Sequence, residues 1–114
     1  MIAVIFEVTP APDHQGAYLD AAAALRPLVE NVDGFISVER FESLTNPGKL
    51  LSVSFWRDEA AVEAWRKLPE HRAMQQLGRS RYFADYRLRI AEVSRDYGMK
   101  ERAQAPEDSR EVNK

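Results

Sequence analysis

The run GFISVERFESL, the turn TNPGK and the run LLSVSFW together span Gly34 to Trp56, and they narrow the fold more than any other feature. Two stretches of strand character flank a turn built from Thr45, Asn46, Pro47, Gly48 and Lys49. So short a connection makes the two runs antiparallel neighbours. In the first run Phe35, Ser37, Glu39 and Phe41 fall on one face, and Ile36, Val38 and Arg40 on the other. A lone hairpin is marginal in water, so the flanking segments must supply the rest of the sheet and its cover.

Upstream, Ile2, Val4, Phe6 and Val8 alternate with Ala3, Ile5, Glu7 and Thr9, which predicts a strand from Ile2 to Thr9. PAPD breaks it. Asp13 is placed to cap a helix from about His14 to Asn31, with Tyr18, Ala22, Leu25 and Val29 on one stripe. Pro27 should kink or divide that helix near Leu25. Downstream, Asp58 caps a second helix that carries Val62 and Trp65 on one side. Pro69 starts a separate short helix, PEHRAMQQLG, which Gly78 is expected to close. Tyr86, Leu88 and Ile90 mark a fourth strand from about Tyr82 to Tyr97. The order is β-α-β-β-α-β, an α+β, ferredoxin-like arrangement with helices on one face of a four-stranded antiparallel sheet. Phe35, Phe41 and first-strand residues of both parities would leave the other face apolar. A homodimer packed sheet to sheet into a barrel is the expected cover.

A chain of 114 residues, 45% hydrophobic and 30% charged, fits one globular domain. Its net charge of −2 argues against a nucleic-acid binder. Seven Lys or Arg residues between Arg66 and Arg89, against Glu70 and Asp85, could draw a small anion to that half. Cysteine is absent, which excludes disulfides, thiol catalysis and cysteine metal sites. MIAVIFEV lacks a signal-peptide pattern and is too short to cross a bilayer, so no membrane association and a cytoplasmic location are expected. The domain is taken as 1–98. The polar tail 99–114, with four basic and four acidic residues, could not fold alone and is expected to dock on the partner subunit.

Chemistry-bearing residues concentrate between Phe55 and Tyr86. Trp56 ends a strand and is assigned to packing, whereas Trp65 is assigned to a pocket wall between helix and sheet. His71 is the candidate base, and Gln75 shares its helix face one turn later. His14 is expected at the surface, and Glu7 in an ion pair with Arg40, Arg87 or Arg89. Neither a Ser-His-Asp set, nor a phosphate loop, nor a metal-ligand spacing occurs.

The segment F-W-R-D-E-A-A-V-E-A-W, with PEHRA after it, resembles the antibiotic biosynthesis monooxygenase family, and the likeness extends over about residues 1–98. The resemblance implies a cofactor-independent monooxygenase that uses O2 on a small aromatic substrate, a hydroquinone or an anthrone. Trp65, Gln75, Tyr82, Phe83, Tyr86 and Arg79 would bind substrate, with His71 as base and no metal. A haem-degrading branch of the family uses a first-strand Asn, a helix Trp and a His ten residues later. Here Trp65 matches, Gln75 stands at the ligand position and IAVIFEV holds no Asn, so haem is disfavoured. The alternative is a non-catalytic small-molecule-binding or stress-associated dimeric protein of the same fold.

Overall fold

In the computed structural model, which describes residues 1–112, the elements are β1 (Ile2–Pro10), α1 (Gln15–Glu30), β2 (Phe35–Glu42), β3 (Leu50–Trp56), α2 (Glu59–Lys67), α3 (Pro69–Leu77), β4 (Phe83–Glu92) and α4 (Glu107–Val112). A π-helical turn, Gly78–Tyr82, joins α3 to β4. The four strands form one open antiparallel sheet in the order β2-β3-β1-β4, the ferredoxin-like topology that the element order implies. Residues 113 and 114, the end of the expected tail, lie outside the described residues. Among the described residues no helix is long and apolar enough to cross a membrane.

The alternation of β1 sends Ile2, Val4, Phe6 and Val8 toward the helices, and Leu50, Ser52, Ser54 and Trp56 of β3 lie beside them. The stripe on α1 behaves as its spacing demands, with Tyr18, Ala22 and Val29 buried and Leu25 half-buried. Asp58 caps α2 by accepting from the Ala61 amide at 2.9 Å. Arg57 ties that junction to the preceding loop with a forked pair of 3.1 Å hydrogen bonds to Asp33.

Five local expectations are corrected. A register shift between Phe35 and Ser37 puts Phe35 on the helix side, 5.3 Å from the Trp56 ring, and leaves Phe41 on the open face. The extra residue of a bulge reverses the facing of what precedes it. Asp13 does not cap α1. It sits in the left-handed region at φ 65°, and His14 occupies the N-cap without a side-chain bond. Pro27 does not divide α1: it falls in the last turn, and the helix continues through it to Glu30. Gly78 does not close its helix in a left-handed turn; it is right-handed at φ −58° and continues into the π turn. Its lack of a side chain serves packing, since a Cβ there would stand 2.3 Å from Cε2 of Phe83. Finally, β4 stops at Glu92, opposite Ile2, well short of Tyr97; one further bond, from the Val93 amide to the Met1 carbonyl at 2.9 Å, follows before the chain leaves the sheet.

The face without helices carries Ile5, Leu51, Val53, Phe55 and Phe41 around a charged centre. There Glu7 accepts from Arg89 at 3.0 Å, with Lys49 at 3.9 Å. These cations hold its carboxyl below the usual range, the Arg89 hydrogen bond foremost and Lys49 next. Beyond β4 the tail folds on itself: Arg102 donates to the carbonyls of Gly98 and Ser109, and Arg110 to those of Ala105 and Ala103.

Candidate active site

The buried core is two clusters rather than one. Ile2, Val29, Trp56, Ala61 and Val62 pack at one end of the sheet, and Val8, Tyr18 and Leu50 at the other. Between them the inward positions of β1 are Val4 and Phe6, only half-buried, and those of β3 are Ser52 and Ser54. Two serines between Leu50 and Trp56 leave unfilled the volume that large side chains would take, and a cavity of about 420 Å³ lies there. That is within the usual size of small-molecule sites.

The strand registers define its floor as two rungs, each crossing all four strands. One reads Arg40, Ser52, Phe6, Leu88 and the next Val38, Ser54, Val4, Ile90. Leu88 is 51% exposed and Ile90 45%, although both face the helix side, so the helices leave the β4 end open as the mouth. Ser54 is buried and accepts from Trp56 Nε1 at 2.9 Å. Trp56, 1% exposed, is therefore anchored packing whose ring also borders the cavity, in line with its sequence assignment.

The walls come from the helices. From α1 come Leu25 and Arg26, from α2 Trp65 and Arg66, and from α3 His71, Met74 and Gln75. Pro69 at the first position of α3 starts that helix just two residues after α2 ends, which brings Trp65 and His71 face to face. Their rings stack at 4.3 Å and 19°. Burial pushes the His71 pKa below its ordinary value; the Trp65 backbone partly opposes this, and the Arg72 charge lowers it further. His71 Nδ1 is shut off from solvent without a well-formed hydrogen bond.

At the far end Phe83 packs against Phe6 at 5.6 Å, Tyr18 at 5.3 Å and Tyr86 at 5.8 Å, and Arg79 donates to the Tyr86 hydroxyl at 3.3 Å. The structure thus brings Trp65, His71, Gln75, Arg79, Phe83 and Tyr86 to one cavity. Tyr82 does not join them; it lies outside the lining, 6.1 Å from the His14 ring. Sequence reasoning passed over Arg26, Arg40, Ser52, Ser54 and Met74 as lining. The serines carried a readable signal, small residues at inward strand positions between two large ones. Among the described residues no group of three acidic, His or Cys side chains could hold a metal ion.

Comparison with known proteins agrees with this architecture. The family described as antibiotic biosynthesis monooxygenase matches residues 1–77. The chain is 46% identical over 94 residues to a protein of Pyricularia oryzae named jasmonate monooxygenase, covering 82% of this chain and 44% of that one. It therefore spans under half the length of that relative. It is 32% identical over 93 residues to the uncharacterised protein YqjZ of Bacillus subtilis, covering 82% and 79%. Among solved structures, Rv0793 of Mycobacterium tuberculosis superposes with a TM-score of 0.76 at 20% identity, covering 85% of this chain and 98% of that one. A Deinococcus radiodurans protein does so at 0.77 and 15%, covering 86% and 97%. At those identities the structures speak for the fold alone. With the family match over two thirds of its length and two relatives above 30% identity, the chain belongs to the antibiotic biosynthesis monooxygenase family.

Proposed function

We propose that the protein is a cofactor-independent monooxygenase acting with O2 on a small ring compound, a hydroquinone or an anthrone-like phenol. The observation that carries this reading is the Trp65–His71 stack in the wall of a largely apolar cavity. With burial keeping His71 neutral near pH 7 and Nδ1 turned into the protein beside the Trp65 backbone, a proton held on Nδ1 leaves the Nε2 lone pair for substrate. His71 removes the substrate proton, and Trp65, Phe83 and Tyr86 hold the ring flat. Gln75 and Arg79 are the polar anchors for the resulting anion.

The carbanion form passes one electron to O2, and the two radicals combine as a peroxide at carbon. Loss of water then leaves a carbonyl, so one oxygen atom enters the product and the other leaves as water. The donor set does not fit haem. Gln75 stands where an imidazole ligand is needed, and His71 lies flat on the Trp65 indole.

The same reading includes assembly. The apolar open face with its Glu7–Arg89 centre suits a second copy of the chain packed sheet to sheet, and the tail after Gly98 docks on that copy. Truncation after Gly98 should weaken the dimer; a dimer of unchanged stability removes the tail from the interface.

Oxygen uptake without added metal or cofactor, on an anthrone, several hydroquinones and a jasmonate, tests the activity. Uptake above the uncatalysed rate that falls in His71→Ala supports the oxygenase and its base. No uptake on any of them favours the non-catalytic binder.

A further inference from the structure

The cavity is lined with charge of one sign only. Arg26, Arg40, Arg66 and Arg79 reach it, and neither an Asp nor a Glu does. Arg26 is paired with Glu30 at 2.9 Å, and Arg79 donates to the Tyr86 hydroxyl. Arg40 and Arg66 take part in no ion pair among the described residues. All four side chains are exposed to solvent, so they do not strain the fold, but together they set a positive field at the rim of the cavity that favours an anionic guest.

Arg40 is also placed where an anion could be read. It ends the rung Arg40, Ser52, Phe6, Leu88, so a cation and a hydroxyl occupy one end of the floor and two apolar side chains the other. The rung crosses three strand spacings, roughly 14 Å. Glu42, two residues along β2 on the same face, makes no ion pair with Arg40. The half-buried Ser52 hydroxyl donates to nothing among the described residues.

We propose that the cavity takes an amphipathic organic anion, a compact apolar ring body bearing one carboxylate. The Arg40 guanidinium forks onto the carboxylate and Ser52 donates to it, while the ring rests on Phe6 and Leu88. A planar guanidinium suits this task because its paired N–H groups match the two carboxylate oxygens. Arg66 adds charge from α2 above the same space. The inference deepens the substrate class proposed above and rests on the same cavity, but it predicts binding whether or not chemistry follows.

Isothermal titration of the full chain with naphthalene-2-carboxylate and with naphthalene-2-carboxamide separates charge from shape. The carboxylate should bind at least about tenfold more tightly, with a preference that shrinks as salt is raised. Arg40→Gln should abolish the preference, weakening the carboxylate far more than the carboxamide, whereas Arg40→Lys should keep part of it. Equal affinity of the two probes, failure of both to bind, or a preference that survives Arg40→Gln overturns the proposal. Carboxylate preference in a protein that consumes no oxygen on any substrate supports the anion site while removing the oxygenase reading.

Discussion

Trp56 and Trp65 stand nine positions apart in one strand-to-helix segment and pack on the same cluster, yet one is enclosed by it and the other borders open space. At the Trp56 end a ring 1% exposed is fixed by a hydrogen bond to Ser54, an edge contact with Phe35 and the packing of Ile2, Val29 and Val62. At the Trp65 end the indole is half-buried, its flat neighbour is a histidine, and beyond them lies open space. The first end has every partner supplied by the chain, and the second is short of partners on one side. A closed region confers stability; a region that leaves groups unpartnered is where a ligand can be received.

The contrast breaks if Trp56→Ala is mild. Truncating a fully packed indole should cost about 3–5 kcal/mol in urea unfolding. Trp65→Phe should cost under about 1.5 kcal/mol while altering ligand binding. Equal losses at the two sites would mean that the interior is one region, not two.

His71→Ala should lower turnover by about a hundredfold or more if the imidazole is the general base, with little change in fold by circular dichroism. The pH dependence sharpens this. Burial depresses the His71 pKa below its ordinary value of 6.5, so the unfolded chain takes up its proton at a higher pH than the folded one. The stability tied to neutral His71 is thus complete above about 6.5 and declines as pH falls from there through the folded pKa. That slope should vanish in His71→Ala, and turnover should fall with pH through the same depressed pKa.

Smaller effects probe the two ends in turn. Gly78→Ala should cost about 1–3 kcal/mol, because its Cβ displaces Phe83, which packs on the Val8–Tyr18–Leu50 cluster. Asp58→Ala, which removes the cap beside Trp56, should cost about 1 kcal/mol in the same unfolding experiment.

The sequence already contained the order of elements, because alternation in β1 and β3 and the Asn46-Pro47-Gly48 turn are local signals that packing then reinforces. The stack of Trp65 on His71 was half legible. Each was singled out as a pocket candidate, and helical spacing put His71 on one face with Gln75, but the ring contact depends on how α3 turns at Pro69, which is tertiary. The facing of Phe35 was not legible, since a one-residue bulge leaves no mark in the pattern of apolar residues. Arg40 was hidden for a related reason: it is an exposed arginine on an edge strand, and only the register shows that it borders the cavity in line with Ser52 and Phe6. Tyr82 was grouped with its aromatic neighbours by proximity in the chain, while the π turn sends its ring toward His14 instead.

The split between the two buried clusters also makes the protein its own reporter. Since Val4 and Phe6 join the clusters across an empty span, a fitting guest becomes the missing core residue between them. Anything that binds only the folded state raises stability, by about 2.7 kcal/mol at a hundred times its dissociation constant. A melting curve run against a library of ring acids would therefore rank candidate substrates with no assay for the reaction, the best guest being the one that most delays unfolding.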